Sequence, residues 1–179
     1  MSKLAEQRVT GQKVYEGYIV KVRVDEVVLP DGRASRREVV ETPGAVAMVA
    51  LDQEGRVALV RQFRYAVGEE TIEVPAGKLE TGEAPEETAR RELAEEVGVT
   101  AACWRHLVDI YTSPGFSDEM VRVYLATHLE PAESTPEGEE FLEVEWVPLH
   151  QAVAAARSGE IRNAITVCAL LMAGGGAGL

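Results

Sequence analysis

The feature that most constrains this 179-residue chain is the stretch from Gly77 to Val99, GKLETGEAPEETARRELAEEVGV. It predicts a helix that has Pro85 in its first turn and Gly98 just past its end. An apolar stripe at positions i, i+4 and i+8 gives this helix one buried face: Ala89, Leu93 and Val97. The fold must therefore bury one side of this helix and leave its other side polar.

The polar side of the helix carries three glutamates that share one face, because positions i, i+3 and i+4 neighbour each other in a helix. They are Glu92, Glu95 and Glu96. Like charges at this spacing repel, and a divalent cation with oxygen ligands would offset the repulsion. One interpretation is a metal site. The other is a solvated acidic surface, which is what a run of charged residues usually forms.

Composition narrows the possible partners. A formal net charge of −12 offers no basic face for nucleic acid or an anionic membrane, so an anionic substrate would need local arginines or a metal ion.

Cys103 and Cys168 have no CxxC or Cys/His spacing, which argues against a disulfide framework and a zinc site. The first residues, MSKLAEQRVT, have no apolar core of a signal peptide, and we expect a cytoplasmic protein.

The chain before the helix reads as strands. Residues 14–28 alternate between apolar and polar side chains, the turn at 29–32 contains Pro and Asp-Gly, and a second strand is expected around 37–41. These segments predict an N-terminal antiparallel hairpin or meander. The apolar runs 45–51 and 57–60 predict central strands, and helices are expected at 149–157 and 161–173.

The full pattern of the 77–99 stretch resembles the Nudix box, the signature of hydrolases that cleave a nucleoside diphosphate linked to another group. Its fixed positions are all matched: Gly77, Glu83, Arg91, Glu92, Leu93, Glu95, Glu96, Gly98 and Val99. The string GAVAMVALD…VALVRQFRYAVGEETIEVPAGKLE is similar to the ADP-ribose pyrophosphatase branch of that family. The resemblance implies an α+β fold, an α/β/α sandwich with a mixed central sheet and an N-terminal antiparallel sheet. It divides the chain into N-terminal strands (1–42), a catalytic domain (43–173) and a flexible tail (174–179).

The same resemblance assigns roles within the box. Glu92, Glu96 and the carbonyl of Ala76 become the principal ligands of two or three Mg²⁺ or Mn²⁺ ions, and Glu95 a further or bridging ligand. Arg91 joins the catalytic candidates, although its spacing from Glu83 favours an ion pair that ties the loop to the helix. The remaining structural positions of the box are Gly77 and Gly98.

A glutamate ahead of the last strand enters the active site in the resembled enzymes, as a base or as an extra metal ligand. Glu140 best fits this place and Glu139 is the second candidate. Both lie in the acidic, proline-containing stretch 130–140, which otherwise reads as an exposed connection.

The resemblance also suggests residues that bind substrate. Arg64 corresponds to an arginine that contacts substrate, and its alternative role is to pair with Glu69, Glu70 or Glu73, of which Glu73 is also a substrate-binding candidate. Because family enzymes often complete the nucleoside pocket with the N-terminal strands of a second subunit, a homodimer with exchanged strands is expected. The other candidates lie in those strands and in a loop that would otherwise be a plain Pro-Gly turn: Tyr18, Arg37, Glu38, Pro114, Gly115 and Phe116.

The activity implied is hydrolysis of ADP-ribose to AMP and ribose 5-phosphate. The N-terminal region has no tryptophan to sandwich an adenine, which leaves ADP-glucose, GDP-mannose, NADH and flavin dinucleotide open as substrates. A non-catalytic nucleotide sensor is an alternative of another class, but it would not need all of the box residues.

Overall fold

The computed structural model describes residues 2–132 and 141–175. Those residues form ten strands and three helices, in the order β1 Gln7–Glu16, β2 Lys21–Val28, β3 Ala34–Glu41, β4 Ala45–Ala50, β5 Arg56–Arg64, β6 Glu69–Glu73, β7 Ala76–Lys78, α1 Pro85–Val97, β8 Val99–Tyr111, β9 Met120–Pro131, β10 Glu143–Pro148, α2 Leu149–Ser158 and α3 Ala164–Gly174. Within these residues, no helix combines the length and the apolar composition that a membrane span requires.

The chain divides into two compact units. The first unit consists of Met1–Gly44 and Tyr111–Glu119, and the second of Ala45–Ile110 and Met120–Leu179. The residues of the 77–99 stretch therefore all belong to the second unit.

The first unit is built on a three-stranded antiparallel meander, β1-β2-β3. This confirms the expected N-terminal antiparallel sheet, but the alternating stretch 14–28 is not one continuous strand. It is interrupted at Gly17–Val20, where the N–H of Gly17 donates to the carbonyl of Val20 at 2.9 Å and closes a turn. Tyr18, Ile19 and Val20 are consecutive apolar residues, so the composition of this segment does not distinguish the turn from a strand.

A buried ion pair lies in this first sheet. Asp25 is 4% exposed, and its Oδ2 accepts a hydrogen bond from Nε of Arg23 at 2.9 Å. Arg23 also pairs with Glu41, and the pKa of its guanidinium is raised by the hydrogen bonds that it donates to Asp25 and Glu41. The charge that the sheet buries is thus compensated by a partner on the same strand.

The second unit contains a mixed sheet of order β7-β4-β9-β8 and a three-stranded sheet of order β10-β5-β6. Strand β4 pairs parallel with β9 and antiparallel with β7. Alternate side chains of β4 face opposite layers, as the two-residue period of a strand requires. Val46 and Met48 pack in a cluster with apolar residues of α1, whereas Ala47 and Val49 pack with residues of α2 and α3. This arrangement is the sandwich that the sequence led us to expect.

The helix predicted from the 77–99 stretch is confirmed as α1. Gly98 follows it with φ 72°, in the left-handed conformation that glycine adopts without strain, and Pro85 occupies the first turn. Ala84 has no side-chain oxygen with which to cap the helix. Its N–H instead donates to Oε2 of Glu87 at 3.0 Å. Ala89 and Leu93 of the predicted stripe are fully buried.

The last helix begins later than predicted. It was expected from residue 161, but α3 starts at Ala164 because Asn163 caps it: Oδ1 of Asn163 accepts a hydrogen bond from the N–H of Thr166 at 2.9 Å. An N-cap residue has an extended backbone, and that excludes the preceding residues from the helix. The predicted tail overlaps residues 176–179, which lie outside the described ranges.

Candidate active site

The segment from Glu73 to Gly77 connects β6 to β7 and lies against the acidic side of α1. The N–H of Ala76 donates to Oε2 of Glu96 at 3.1 Å, and the carbonyl of Pro75 accepts from the N–H of Met48 at 2.9 Å. Glu96 is only 7% exposed, so its carboxylate is held between the helix and this segment. The structure therefore brings Ala76 and Glu96 together, two of the predicted metal ligands.

Gly77 is where the segment approaches a second ligand candidate. A Cβ atom at this position would lie 1.9 Å from Cδ of Glu92, far inside any real contact. The carboxylate of Glu92 thus occupies the space that any other side chain at position 77 would take. This gives the box glycine a steric reason in addition to its backbone freedom.

Arg91 organises the carboxylates of α1. Its Nη1 donates to Oε1 of Glu92 at 2.9 Å and to Oε2 of Glu95 at 3.0 Å, while Nε and Nη2 each reach Glu83 at 3.2 Å. The hydrogen bond to Glu83 is the main cause of a raised pKa of Arg91. Hydrogen bonds from Arg91 and then from Thr88 hold the pKa of Glu83 below its usual value. The structure therefore contains the loop-to-helix ion pair that the spacing favoured.

These residues are chemically suited to a hard divalent cation, because three carboxylates and a backbone carbonyl supply only oxygen donors. Within residues 2–132 and 141–175, no group of three or more His, Cys, Asp or Glu side chains converges closely enough to form a metal site. Two of the three carboxylates, those of Glu92 and Glu95, accept hydrogen bonds from Nη1 of Arg91. A cation would therefore share Glu92 and Glu95 with the guanidinium of Arg91.

The other arginine of interest, Arg64, ends β5 and pairs with Glu73. Nε of Arg64 lies 2.9 Å from Oε1 of Glu73 and Nη2 lies 2.7 Å from Oε2, which is a bidentate pair. The hydroxyl of Thr71 also donates to Oε1 at 2.6 Å. The side chain of Glu73 is 4% exposed, whereas that of Arg64 is 46% exposed. Of the pairings considered for Arg64, the structure contains the one with Glu73, and the predicted contact with substrate stays a prediction.

Opposing effects determine the pKa of Glu73. Burial raises its pKa, but the hydrogen bonds from Arg64 and Thr71, the charge of Arg64 and a hydrogen bond from Asn163 together lower it below 4.5. The carboxylate is therefore charged at neutral pH despite its burial.

The remaining substrate-binding candidates belong to the first unit. Tyr18 is fully exposed in the turn between β1 and β2, Glu38 is exposed on β3, and Arg37 pairs there with Glu6. Pro114, Gly115 and Phe116 form an exposed turn in which the N–H of Phe116 donates to the carbonyl of Ser113 at 3.1 Å. The carbonyl of Phe116 accepts from Val40 at 2.7 Å, which ties this loop to β3.

The two candidates for the catalytic base, Glu139 and Glu140, lie outside the described residues. Sequence reasoning missed three residues that support the site, Thr71, Asn163 and Thr166. The sequence does signal a helix start at Asn163, since asparagine before an apolar run is a common N-cap. It contains no local sign that this helix start would contact Val74, the residue that follows β6.

Comparison with known proteins supplies further findings. A family profile described as NUDIX domain matches residues 41–168, and one described as nucleoside diphosphate sugar hydrolase N-terminal domain matches residues 6–40. An ADP-ribose pyrophosphatase of Bacillus subtilis is 43% identical over 95% of this chain and 93% of its own length. An ADP-ribose pyrophosphatase of Mycobacterium tuberculosis is 43% identical over 92% of this chain and 81% of its own length. A solved structure titled as an ADP compounds hydrolase has the same fold, with a TM-score of 0.85 at 20% identity over 98% of this chain and 95% of that one.

Proposed function

Because this chain belongs to the Nudix family, as a pyrophosphatase, we propose that it hydrolyses the diphosphate of ADP-ribose to AMP and ribose 5-phosphate. The observation that carries the chemistry is the packing of Glu92 and Glu96 against Ala76 and Gly77, which places two carboxylates of α1 beside the start of β7. The choice of ADP-ribose is supported by two relatives that bear the name of that activity and align with nearly all of this chain.

The reaction depends on divalent metal ions in this family, and we propose Mg²⁺ or Mn²⁺ with two or three ions per site. Glu92, Glu95, Glu96 and the carbonyl of Ala76 would hold them. Ions bound there would neutralise phosphate oxygens and lower the pKa of a bound water.

The chain's own residues act around that centre. Arg91 keeps Glu92 and Glu95 in fixed orientations through hydrogen bonds of 2.9 and 3.0 Å. Arg64, nearly half exposed and held by Glu73, would donate to a substrate phosphate or to the terminal ribose. Glu140, or Glu139 in its place, would accept the proton of the attacking water. The water oxygen joins one phosphorus while the bridging oxygen leaves with the other phosphate.

We also propose a homodimer in which the N-terminal strands, residues 1–42, exchange between subunits. Tyr18, Arg37 and Glu38 would then contribute to the nucleoside pocket, together with the turn at 114–116. This assignment, like the cytoplasmic location, depends on the family resemblance and the sequence.

A hydrolysis screen tests the proposal. The purified protein is incubated with ADP-ribose, ADP-glucose, GDP-mannose, NADH and a diadenosine polyphosphate, each with Mg²⁺ and with Mn²⁺, and the products are separated by chromatography. The highest kcat/KM is expected for ADP-ribose, with AMP and ribose 5-phosphate as products. A higher kcat/KM for another substrate would replace ADP-ribose, and no turnover of any would favour the non-catalytic sensor.

A substitution tests the metal assignment separately. Glu96→Gln should lower kcat at least about 100-fold while leaving the fold intact, since loss of a direct ligand should exceed the effect of losing its supporting partner. Glu86→Gln is the matched control, because Glu86 lies on the same helix in an exposed pair with Arg90. Equal turnover of the two variants would reject the assignment.

A further inference from the structure

Arg64 forms its ion pair with an acid that is not the one opposite it in the sheet. Strands β5 and β6 pair antiparallel, in a register that sets Arg64 opposite Glu69. Directly opposed residues are the closest cross-strand neighbours, with Cβ atoms about 5 Å apart. The guanidinium nevertheless pairs with Glu73, at the other end of β6, at 2.9 and 2.7 Å. The register alone therefore does not account for this pair.

The choice between the two acids decides where Arg64 points. Glu73 is the last residue of β6, and from it the chain continues to Ala76, a candidate metal ligand, whereas Glu69 is the first residue of the strand. Pairing with Glu73 therefore brings the guanidinium towards the end of β6 that leads to the candidate metal ligands. Glu69 is paired with Arg162 at 2.7 Å, but both side chains are exposed, and pairs of this kind contribute little. That pair is not sufficient to keep Arg64 from Glu69.

Thr71 lies between the two acids on β6, and the two-residue period of a strand puts all three side chains on one face. Its Oγ1 is 2.6 Å from Oε1 of Glu73 and 3.4 Å from the carbonyl oxygen of Gln62. A hydroxyl has one hydrogen to donate, and a short contact to a carboxylate is stronger than a long one to a carbonyl. The hydroxyl of Thr71 therefore donates to Glu73.

This hydrogen bond ends on an oxygen that Arg64 also uses. Oε1 of Glu73 accepts from Thr71 and from Nε of Arg64, and Oε2 accepts from Nη2 of Arg64. Because the side chain of Glu73 is only 4% exposed, its carboxylate cannot rotate without losing a hydrogen bond that water would not readily replace. The side chain of Arg64 is 46% exposed, so its own burial does not supply its order. The orientation of Arg64 comes from the carboxylate that it binds.

We propose that Thr71 is a positioning residue for substrate binding: its hydroxyl fixes the buried carboxylate of Glu73 and so directs the guanidinium of Arg64. This inference rests on the proposed function, in which Arg64 contacts the substrate. An arginine that is already oriented loses less conformational entropy when it binds a phosphate. Loss of the hydroxyl should therefore weaken substrate binding and leave the chemical step unchanged.

Two substitutions at position 71 separate the hydroxyl from the rest of the side chain. Thr71→Val replaces the hydroxyl with a methyl group and keeps a β-branched side chain suited to a strand, whereas Thr71→Ser keeps the hydroxyl. We expect KM for ADP-ribose to rise about fivefold in Thr71→Val and to stay within about twofold of the parent in Thr71→Ser, with kcat within about twofold in both. No rise in Thr71→Val, or an equal rise in the two variants, would overturn the proposal.

A double-mutant cycle shows whether the effect passes through Arg64. In an Arg64→Ala background, Thr71→Val should no longer change KM, because no guanidinium is left to position. A rise of the same size with and without Arg64 would overturn the proposal. Thr127→Val is the matched control, since it makes the same change on β9, where the hydroxyl lies 3.3 Å from Nδ1 of His128. It should leave KM unchanged, and a rise as large as that of Thr71→Val would also overturn the proposal.

Thermal melting of each variant establishes that it is folded, and Thr71→Ala provides the same loss of the hydroxyl if the valine variant does not fold. Failure of this inference is distinguishable from failure of the proposed function. If the parent protein does not hydrolyse ADP-ribose, the proposed function fails and the inference with it. If the parent does and Thr71→Val matches it in KM, the inference alone fails.

Discussion

Glu92 occupies the space that a side chain at position 77 would fill, so Gly77 is required for the observed position of its carboxylate. An added Cβ on residue 77 would lie 1.9 Å from Cδ and 2.1 Å from Oε1 of Glu92. The atoms in the way belong to the side chain of Glu92, which can rotate aside only by breaking the hydrogen bond that its Oε1 accepts from Nη1 of Arg91.

We expect Gly77→Ala to lower kcat for ADP-ribose about 100-fold, because a displacement of about 1 Å at a catalytic group has effects of that size. The free energy of unfolding should fall by about 1–3 kcal/mol, as for other overpacked sites. Steady-state kinetics and urea denaturation measure the two effects.

The second substitution, Glu92→Ala, serves as the control for that clash. In the Glu92→Ala background, Gly77→Ala should cost little stability, since the atoms it would meet are gone, while activity stays low. A full loss of stability in this background would mean that the clash with Glu92 is not its cause.

Arg91→Ala should destabilise the protein even with metal removed by EDTA. The ion pairs of Arg91 with Glu92 and Glu95 are mostly covered from solvent, since the three side chains are 14–27% exposed. Removal of the guanidinium leaves the two negative charges of Glu92 and Glu95 next to each other. We expect about 2 kcal/mol less stability in urea denaturation, between the values for exposed and fully buried pairs.

Arg90→Ala is the neighbouring control. Arg90 pairs with Glu86 at the surface and lies 5.0 Å above the ring of Trp104. It also donates a hydrogen bond of 3.3 Å to the carbonyl of Ala101. Its removal should cost about 1 kcal/mol, since the ion pair is exposed and the hydrogen bond is long. A larger loss than in Arg91→Ala would contradict the central role of Arg91.

Glu73→Gln should show how charge contributes to stability at the Arg64 pair. Because the pKa of Glu73 in the folded protein lies below its ordinary 4.5, the charge stabilises the fold above that pH, and this stabilisation is lost as the pH falls through the folded-state pKa. At pH 7 the variant should be about 1–3 kcal/mol less stable. The difference from the parent protein should shrink as the pH falls below 4.5.

Urea denaturation at several pH values between 3 and 7 measures that difference. Subtraction of the two profiles removes the contribution of every other acid in the chain, on the assumption that those acids titrate alike in both proteins. A difference that stays constant over the whole range would exclude the charge of Glu73 as its origin.

Substitution of the two arginines beside Asp25 should lower the free energy of unfolding by different amounts. Nε of Arg23 donates a hydrogen bond to Oδ2, and Arg23 is 26% exposed. Nε of Arg8 lies 3.0 Å from Oδ1, but among the described residues Oδ1 has no hydrogen-bond partner, and Arg8 is 57% exposed. Arg23→Ala should therefore cost about 2–3 kcal/mol of unfolding free energy and Arg8→Ala less than about 1 kcal/mol. Chemical denaturation of both variants decides the order.

Helix α1 shows which features the sequence allows one to predict. Its start, its end and its buried residues Ala89 and Leu93 depend on signals within its own 13 residues and Gly98, which follows them. The positions of Glu92, Glu95 and Glu96 on one side follow from the same helical period. The central strands were predictable for a similar reason, since long apolar runs are buried strands in a chain of this size.

Contacts between distant segments were not predictable in this way. Thr166 lies 92 residues after Val74, from which it accepts a hydrogen bond, and no local pattern records that pairing. The turn at Gly17–Val20 escaped prediction because residues 18–20 are apolar and of types common in strands, while the turn itself is closed by one backbone hydrogen bond. The pairing of Arg64 was open for another reason, since three acids stood within reach. In the structure Glu69 pairs with Arg162 and Glu70 with Arg61, whereas Glu73 pairs with Arg64.

The hydrogen bond between Val74 and Thr166 has a consequence for the order of synthesis. Chains leave the ribosome from their N-terminus, and residues fold only after they emerge. Val74 lies just before Ala76 and Gly77 but is anchored by a residue made 92 positions later. The hydrogen bond that anchors Val74 can therefore form only after Thr166 has emerged, long after every residue of the acidic helix has been made.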